Sequence, residues 1–121
     1  LNETDNHIVA IESDNGVFSP RGFGFTGSEI AKEKVQEAVV LLQPIYADNI
    51  FNDGVEADIG PLRDIGVPVM SLEVDRTTYF WYHHTAADAM DKINREELNR
   101  CVAALAIMSY VIADLEDSLP R

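Results

Sequence analysis

The stretch Ile8-Val9-Ala10-Ile11-Glu12-Ser13-Asp14-Asn15-Gly16 decides the fold class. Its four apolar residues follow a polar leader and read as a short buried strand. The polar, turn-forming run from Glu12 to Gly16 ends it. Open α/β sheets place ligands just past the carboxyl ends of their strands. The carboxylates of Glu12 and Asp14 fall at that place. A pair pointing the same way from one strand also reads as an acid/base pair or as an ordinary solvated face.

Downstream, Val17 to Phe25 carries Pro20, Gly22 and Gly24 between Phe18, Phe23 and Phe25, which predicts a loop pinned by its aromatics. Thr26-Gly27-Ser28-Glu29 is a capping box, with the Thr26 hydroxyl taking an orphan N–H and Glu29 reaching back. The helix it predicts turns Ile30, Val35, Ala38, Val39 and Leu42 inward and leaves Lys32, Glu33, Lys34 and Glu37 in water. Pro44 is expected to stop it. Ile45 to Phe51 is ambiguous, with a short strand among the readings, and Asn52-Asp53-Gly54 is a turn. Ala57 to Ile65 reads as a short helix, with Asp58 near its electropositive amino end and Gly66 closing it. Val67 to Leu72 is the next strand, and Pro68 suits its first position or an edge.

Asn94-Arg95-Glu96-Glu97 caps a second helix, expected to run to about Asp117. Leu98, Cys101, Val102, Leu105, Met108, Ile112 and Leu115 form its inward stripe. Ala103, Ala104, Ile107 and Val111 make much of its circumference apolar, so more than one neighbour is needed to cover it. Strand, helix, possible strand, short helix, strand and long helix follow one another. That alternation predicts an α/β fold with a partial, largely parallel sheet flanked by helices. With 121 residues and 46% hydrophobic content, residues 1–121 make one domain with a real core.

The formal net charge is −12 and the pI about 4.4. Both argue against binding to nucleic acid or to an anionic membrane surface. The longest apolar run, Cys101 to Ala113, is broken by Ser109 and too short to cross a bilayer. Leu1 is not an initiator methionine, so the amino terminus is expected to arise by processing, cleavage or choice of the expressed segment. The lone cysteine, Cys101, excludes an internal disulfide and reads as a small buried hydrophobe. Asn2-Glu3-Thr4 fits a glycosylation acceptor pattern.

The chemistry concentrates in Tyr79-Phe80-Trp81-Tyr82-His83-His84-Thr85-Ala86-Ala87-Asp88. Four aromatics running into two histidines read as a pocket wall or as core aromatics followed by loop histidines. On the first reading His84 meets a metal in a water-poor setting, with Asp88 or a backbone carbonyl as the acceptor of its second ring N–H. Asp14 is a second donor of the kind zinc takes. A zinc site needs three or four. No Gly-x-Ser-x-Gly elbow is present, and Gly22-Phe23-Gly24 lacks the third glycine of a phosphate loop.

Ile8–Gly27 (IVAIESDNGVFSPRGFGFTG), Gly66–Leu72 (GVPVMSL), Tyr79–Met90 (YFWYHHTAADAM) and the closing DLEDSLP resemble the two-zinc aminopeptidases and glutamate carboxypeptidases along nearly the whole chain. The resemblance implies the carboxyl-terminal half of a zinc exopeptidase domain, with a secreted, periplasmic or lysosomal setting and a peptide substrate. It assigns Asp14 to one zinc and His84 to the other, with His84 chosen over His83 because the family's final histidine directly precedes the Thr/Ser of its motif. Asp88 matches the supporting carboxylate, although Ala89 stands where the family usually has threonine. Asp58 matches a carboxylate lining the site, and Tyr82 and His83 accompany the wall.

The family's first histidine, bridging aspartate and Glu-Glu pair have no counterpart in these residues. The chain alone is therefore expected to hydrolyse no peptide, since neither metal nor base is complete. The implied partner is the amino-terminal half of the domain. A sister chain, met by a non-catalytic interaction module, is the rival reading. A single weak metal site shared by Asp14 and His84 is the remaining alternative.

Overall fold

The computed structural model describes residues 3–54 and 57–121. Asn2 of the acceptor-like triplet lies outside the described residues. The first strand, β1 (Ala10–Glu12), begins where the Ala10 N–H donates to the Pro68 carbonyl at 3.0 Å.

The second strand, β2 (Pro20–Thr26), corrects the loop expected there. Its residues alternate with period two: Phe23 and Phe25 are buried on one face, and Gly22 and Gly24 occupy the other. The glycines are needed for space. A Cβ on Gly24 would lie 1.9 Å from the Asp53 carbonyl oxygen. Pro20 sits at the first position, where a missing N–H costs the ladder least.

Ser28, not Thr26, caps helix α1 (Glu29–Val39), accepting from the Ala31 N–H at 3.3 Å. Thr26 stays in β2, where its Oγ1 accepts from the Gly54 N–H at 3.1 Å. The inward stripe is Ala31, Val35, Ala38, Val39 and Leu42; Ile30, one position off it, is exposed. Pro44 does not stop the helical run. The chain tightens into a 3₁₀ helix over Val40–Ile45 and ends only at Tyr46, in a left-handed conformation.

Strand β3 (Asn49–Phe51) resolves the ambiguous stretch. Helix α2 (Gly60–Asp64) is shorter than expected, and the turn before it is held by Glu12, whose Oε2 accepts from Asp58 N–H at 3.0 Å and Ile59 N–H at 3.1 Å. Strand β4 (Val69–Val74) starts directly after Pro68. A single helical turn, α3 (Tyr79–Tyr82), precedes the long helix α4 (Arg95–Ala113). The α4 cap is as read: Asn94 Oδ1 accepts from Glu96 and Glu97 N–H at 2.9 and 3.2 Å. The helix ends before Asp117, and its buried stripe is Cys101, Ala104, Met108 and Ile112. Val102 lies a third of a turn off that stripe and is exposed.

The sheet order is β1-β4-β2-β3. β1 and β4 are parallel, β2 and β3 are parallel, and β2 runs antiparallel to β4. The fold is thus α/β with a four-stranded, mixed and mostly parallel sheet, more strands than the two or three read from sequence. Phe23, Phe25, Met70, Leu72 and Val74 pack against α1 and α4 on one face. A smaller cluster of Ala10, Ile59 and Val69, with Leu62 of α2, lies on the other.

Candidate functional site

The parallel strands β1 and β4 both point their carboxyl ends toward one cavity of about 600 Å³. The turn after β1 supplies Asp14, Val17 and Phe18 to its wall. The segment between β4 and α4 supplies Tyr79, Tyr82, His83, His84 and Asp88. Asp14 and His84, seventy positions apart in the chain, therefore share one cavity. Arg76 reaches between the two segments, donating from one guanidinium nitrogen to Asn15 Oδ1 and pairing with Glu73 through another, both at 3.5 Å.

His84 is held in a backbone conformation that costs free energy. Its φ is +55°, in the left-handed region that side chains with a Cβ rarely enter. Thr85 fixes it there. The Thr85 N–H and Oγ1–H both donate to the Tyr82 carbonyl, at 2.9 and 2.7 Å. In turn Thr85 Oγ1 accepts from Ala87 N–H at 3.2 Å, and the Thr85 carbonyl accepts from Asp88 N–H at 3.1 Å. The rings are stacked: His83 lies on Tyr79 with centroids 4.5 Å apart, and His84 lies on His83 at 3.8 Å. The His84 imidazole is the outer leaf of a three-ring stack.

The expected aromatic wall is only half formed. Tyr79 and Tyr82 line the cavity, while Phe80 and Trp81 turn to solvent at 78% and 68% exposure. A single helical turn rotates successive side chains by about 100°, so four consecutive residues cannot share a face. Asp88 lines the cavity, but among the described residues its carboxylate makes no hydrogen bond to either imidazole. Asp58 does not line it; its backbone N–H is bonded to Glu12, whose carboxylate thereby organises the neighbouring turn. Among the described residues, no three His, Cys, Asp or Glu side chains come together to hold a metal ion.

Two lining residues had no signal strong enough to find in the sequence. Glu97 Oε1 accepts from Ser19 Oγ–H at 2.6 Å, linking α4 to the loop before β2. Lys92 lies just ahead of the α4 cap and is hydrogen-bonded to Asp91 Oδ2 at 2.5 Å, which raises its pKa above the ordinary lysine value. Away from the cavity, Cys101 is buried as expected; its thiol donates to the Phe18 carbonyl at 3.1 Å, and burial, followed by the nearby Glu97 charge, pushes its pKa up to about 11.

Known proteins place this geometry in context. The model of peptidase family M28 matches residues 3–109. Carboxypeptidase Q of Homo sapiens is 40% identical over 116 residues, covering 96% of this chain and 25% of its own length. Carboxypeptidase Q of Xenopus laevis is 39% identical over 116 residues with the same coverages. The crystal structure of a peptidase M28 precursor from Shewanella amazonensis SB2B superposes with a TM-score of 0.90 at 33% identity, over 98% of this chain and 27% of that one. The chain thus spans about a quarter of the length of the curated relatives it matches. On the match to its family model and the shared fold, the chain belongs to peptidase family M28.

Proposed function

We propose that this chain forms the carboxyl-terminal part of a zinc-dependent exopeptidase and contributes one ligand to each of two zinc ions, Asp14 and His84. The observation that carries this reading is the convergence of those two side chains on one cavity at the carboxyl ends of β1 and β4. A carboxylate and a neutral imidazole are donors that zinc accepts, and two of them supply part of a ligand set. Zinc bound there would activate a water and polarise the scissile carbonyl. The chain's own residues do the rest. Thr85 holds the His84 backbone, the Tyr79–His83 stack fixes its ring, and Tyr79, Tyr82 and Phe18 narrow the water around the peptide. The relatives' name, carboxypeptidase, supports trimming from the carboxyl end, and a secreted or lysosomal setting goes with that reading. No helix among the described residues is long and apolar enough to cross a membrane.

The test is peptide hydrolysis by the complete polypeptide that carries this chain. Asp14→Ala and His84→Ala are each expected to lower kcat/KM by more than about 100-fold, beyond what loss of a group supporting a ligand costs. This chain alone should release no terminal amino acid with or without zinc. Wild-type rates in the Asp14→Ala and His84→Ala variants would remove the reading.

A second reading, a non-catalytic module docking onto the missing half or a sister chain, is favoured by one feature. β1 is an outer strand, paired only with β4 among the described residues.

A further inference from the structure

We propose that Lys92 binds the free terminal carboxylate of the peptide substrate, which makes this site a reader of carboxyl ends. The inference rests on the exopeptidase reading and names the group that selects the chain end. A charged group selects a terminus by recognising what internal residues lack, an α-carboxylate or an α-ammonium. The chain has 21 acidic and 9 basic residues, yet a lysine stands on this cavity's wall. Among the described residues, Lys92 is the only Lys or Arg that lines it.

Its ammonium is available. The partner Asp91 lies outside the cavity lining, and the pair is exposed, with side-chain accessibilities of 40% and 68%. An exposed ion pair of this kind contributes little and exchanges readily. Lysine has three donors and Asp91 occupies one, so two remain for a carboxylate. The position is also well fixed. Lys92 closes a short 3₁₀ turn with its N–H on the Ala89 carbonyl at 3.0 Å, two residues before the Asn94 cap of α4.

The acids of the cavity serve other ends. Asp14 is the proposed metal donor, and Glu97 is engaged by Ser19. Asp88 is the one carboxylate left that could meet an α-ammonium instead, and the experiment has to separate the two.

The measurement uses the complete peptidase containing this chain, with three forms of one dipeptide: free at both ends, amidated at the carboxyl end, and acetylated at the amino end. The wild type is expected to prefer the free acid over the amide by about 10- to 100-fold in kcat/KM, the scale of a charge-assisted contact. Lys92→Met should collapse that ratio toward unity, chiefly through KM, and Lys92→Arg should keep most of it. Equal loss on acid and amide in Lys92→Met, or an unchanged ratio, overturns the assignment while the exopeptidase reading stands. Turnover that tolerates the amide but not the acetyl group also overturns it, in favour of Asp88. A wild type that releases no amino acid from any form sinks the exopeptidase reading itself, and this inference with it.

Discussion

At the scale of single residues, His84 carries a backbone cost that local hydrogen bonds sustain. An L-residue in the left-handed region costs about 1 kcal/mol or more. Here φ is +55° and the residue is exposed, so packing does not compel it. What holds it is the Thr85–Tyr82 bonding, which turns the ring onto the stack with His83. Two substitutions isolate the backbone cost, since both delete the ring. His84→Gly should be more stable than His84→Ala by about 1 kcal/mol, because glycine enters this region freely. Urea unfolding of the two variants measures it, and equal midpoints would show that no strain is stored there. The histidines, Asp14 and Asp88 were legible as side-chain types at telling positions in the sequence. Neither the left-handed turn nor the presence of Lys92 on the wall was, because both are set by contacts outside any local window. The aromatic run misled for the opposite reason: its composition spoke of a wall, and helical rotation divided it between cavity and solvent.

At the scale of elements, β2 departs furthest from its local sequence marks. Pro20, Gly22 and Gly24 carry the usual marks of a loop, yet the segment is a central strand. The decisive quantity is space on the sheet face opposite the main core. The Asp53–Gly54 backbone lies so close to β2 that only hydrogen fits at position 24. Phe23 and Phe25 meanwhile anchor the other face, and the alternation of Phe with Gly is a strand pattern in which glycine takes the crowded side. Gly24→Ala is therefore expected to cost about 3 kcal/mol, the loop being forced off the strand. Gly60→Ala is the control: among the described residues, nothing beyond its chain neighbours and its own helix lies within 4 Å of its would-be Cβ, and alanine at the start of α2 should be neutral or stabilising by up to about 1 kcal/mol. Guanidinium titrations of both decide the matter; equal stabilities would refute the close-approach argument. The helix caps show the finer limit of sequence reading. Asn94 was found because its cap is local, whereas at α1 the choice between Thr26 and Ser28 depended on Thr26 belonging to a strand.

At the scale of the molecule, the sheet is covered well on one face by α1 and α4 and ends in an outer strand that carries the candidate site's acid turn. An outer strand paired on one side only among the described residues invites another strand. Ile8, just ahead of β1, is exposed, as are Phe80, Trp81 and Met90 on the segment that follows β4. Opposing association is the net charge of −12, whose repulsion reaches about 30 Å at about 0.01 M salt and only about 3 Å at about 1 M. The balance predicts a salt response of definite sign. Studied alone, the chain should sediment near its 13.4 kDa monomer mass at low salt and move to larger, concentration-dependent species as salt screens the charge. Ile8→Lys should weaken that association, since lysine at a strand edge is among the devices that block pairing. A chain that stays monomeric across the salt series, with a cooperative melt, would show that β1 needs no neighbour. The interaction-module reading would then lose its motive, while the shared cavity of Asp14 and His84 would still stand.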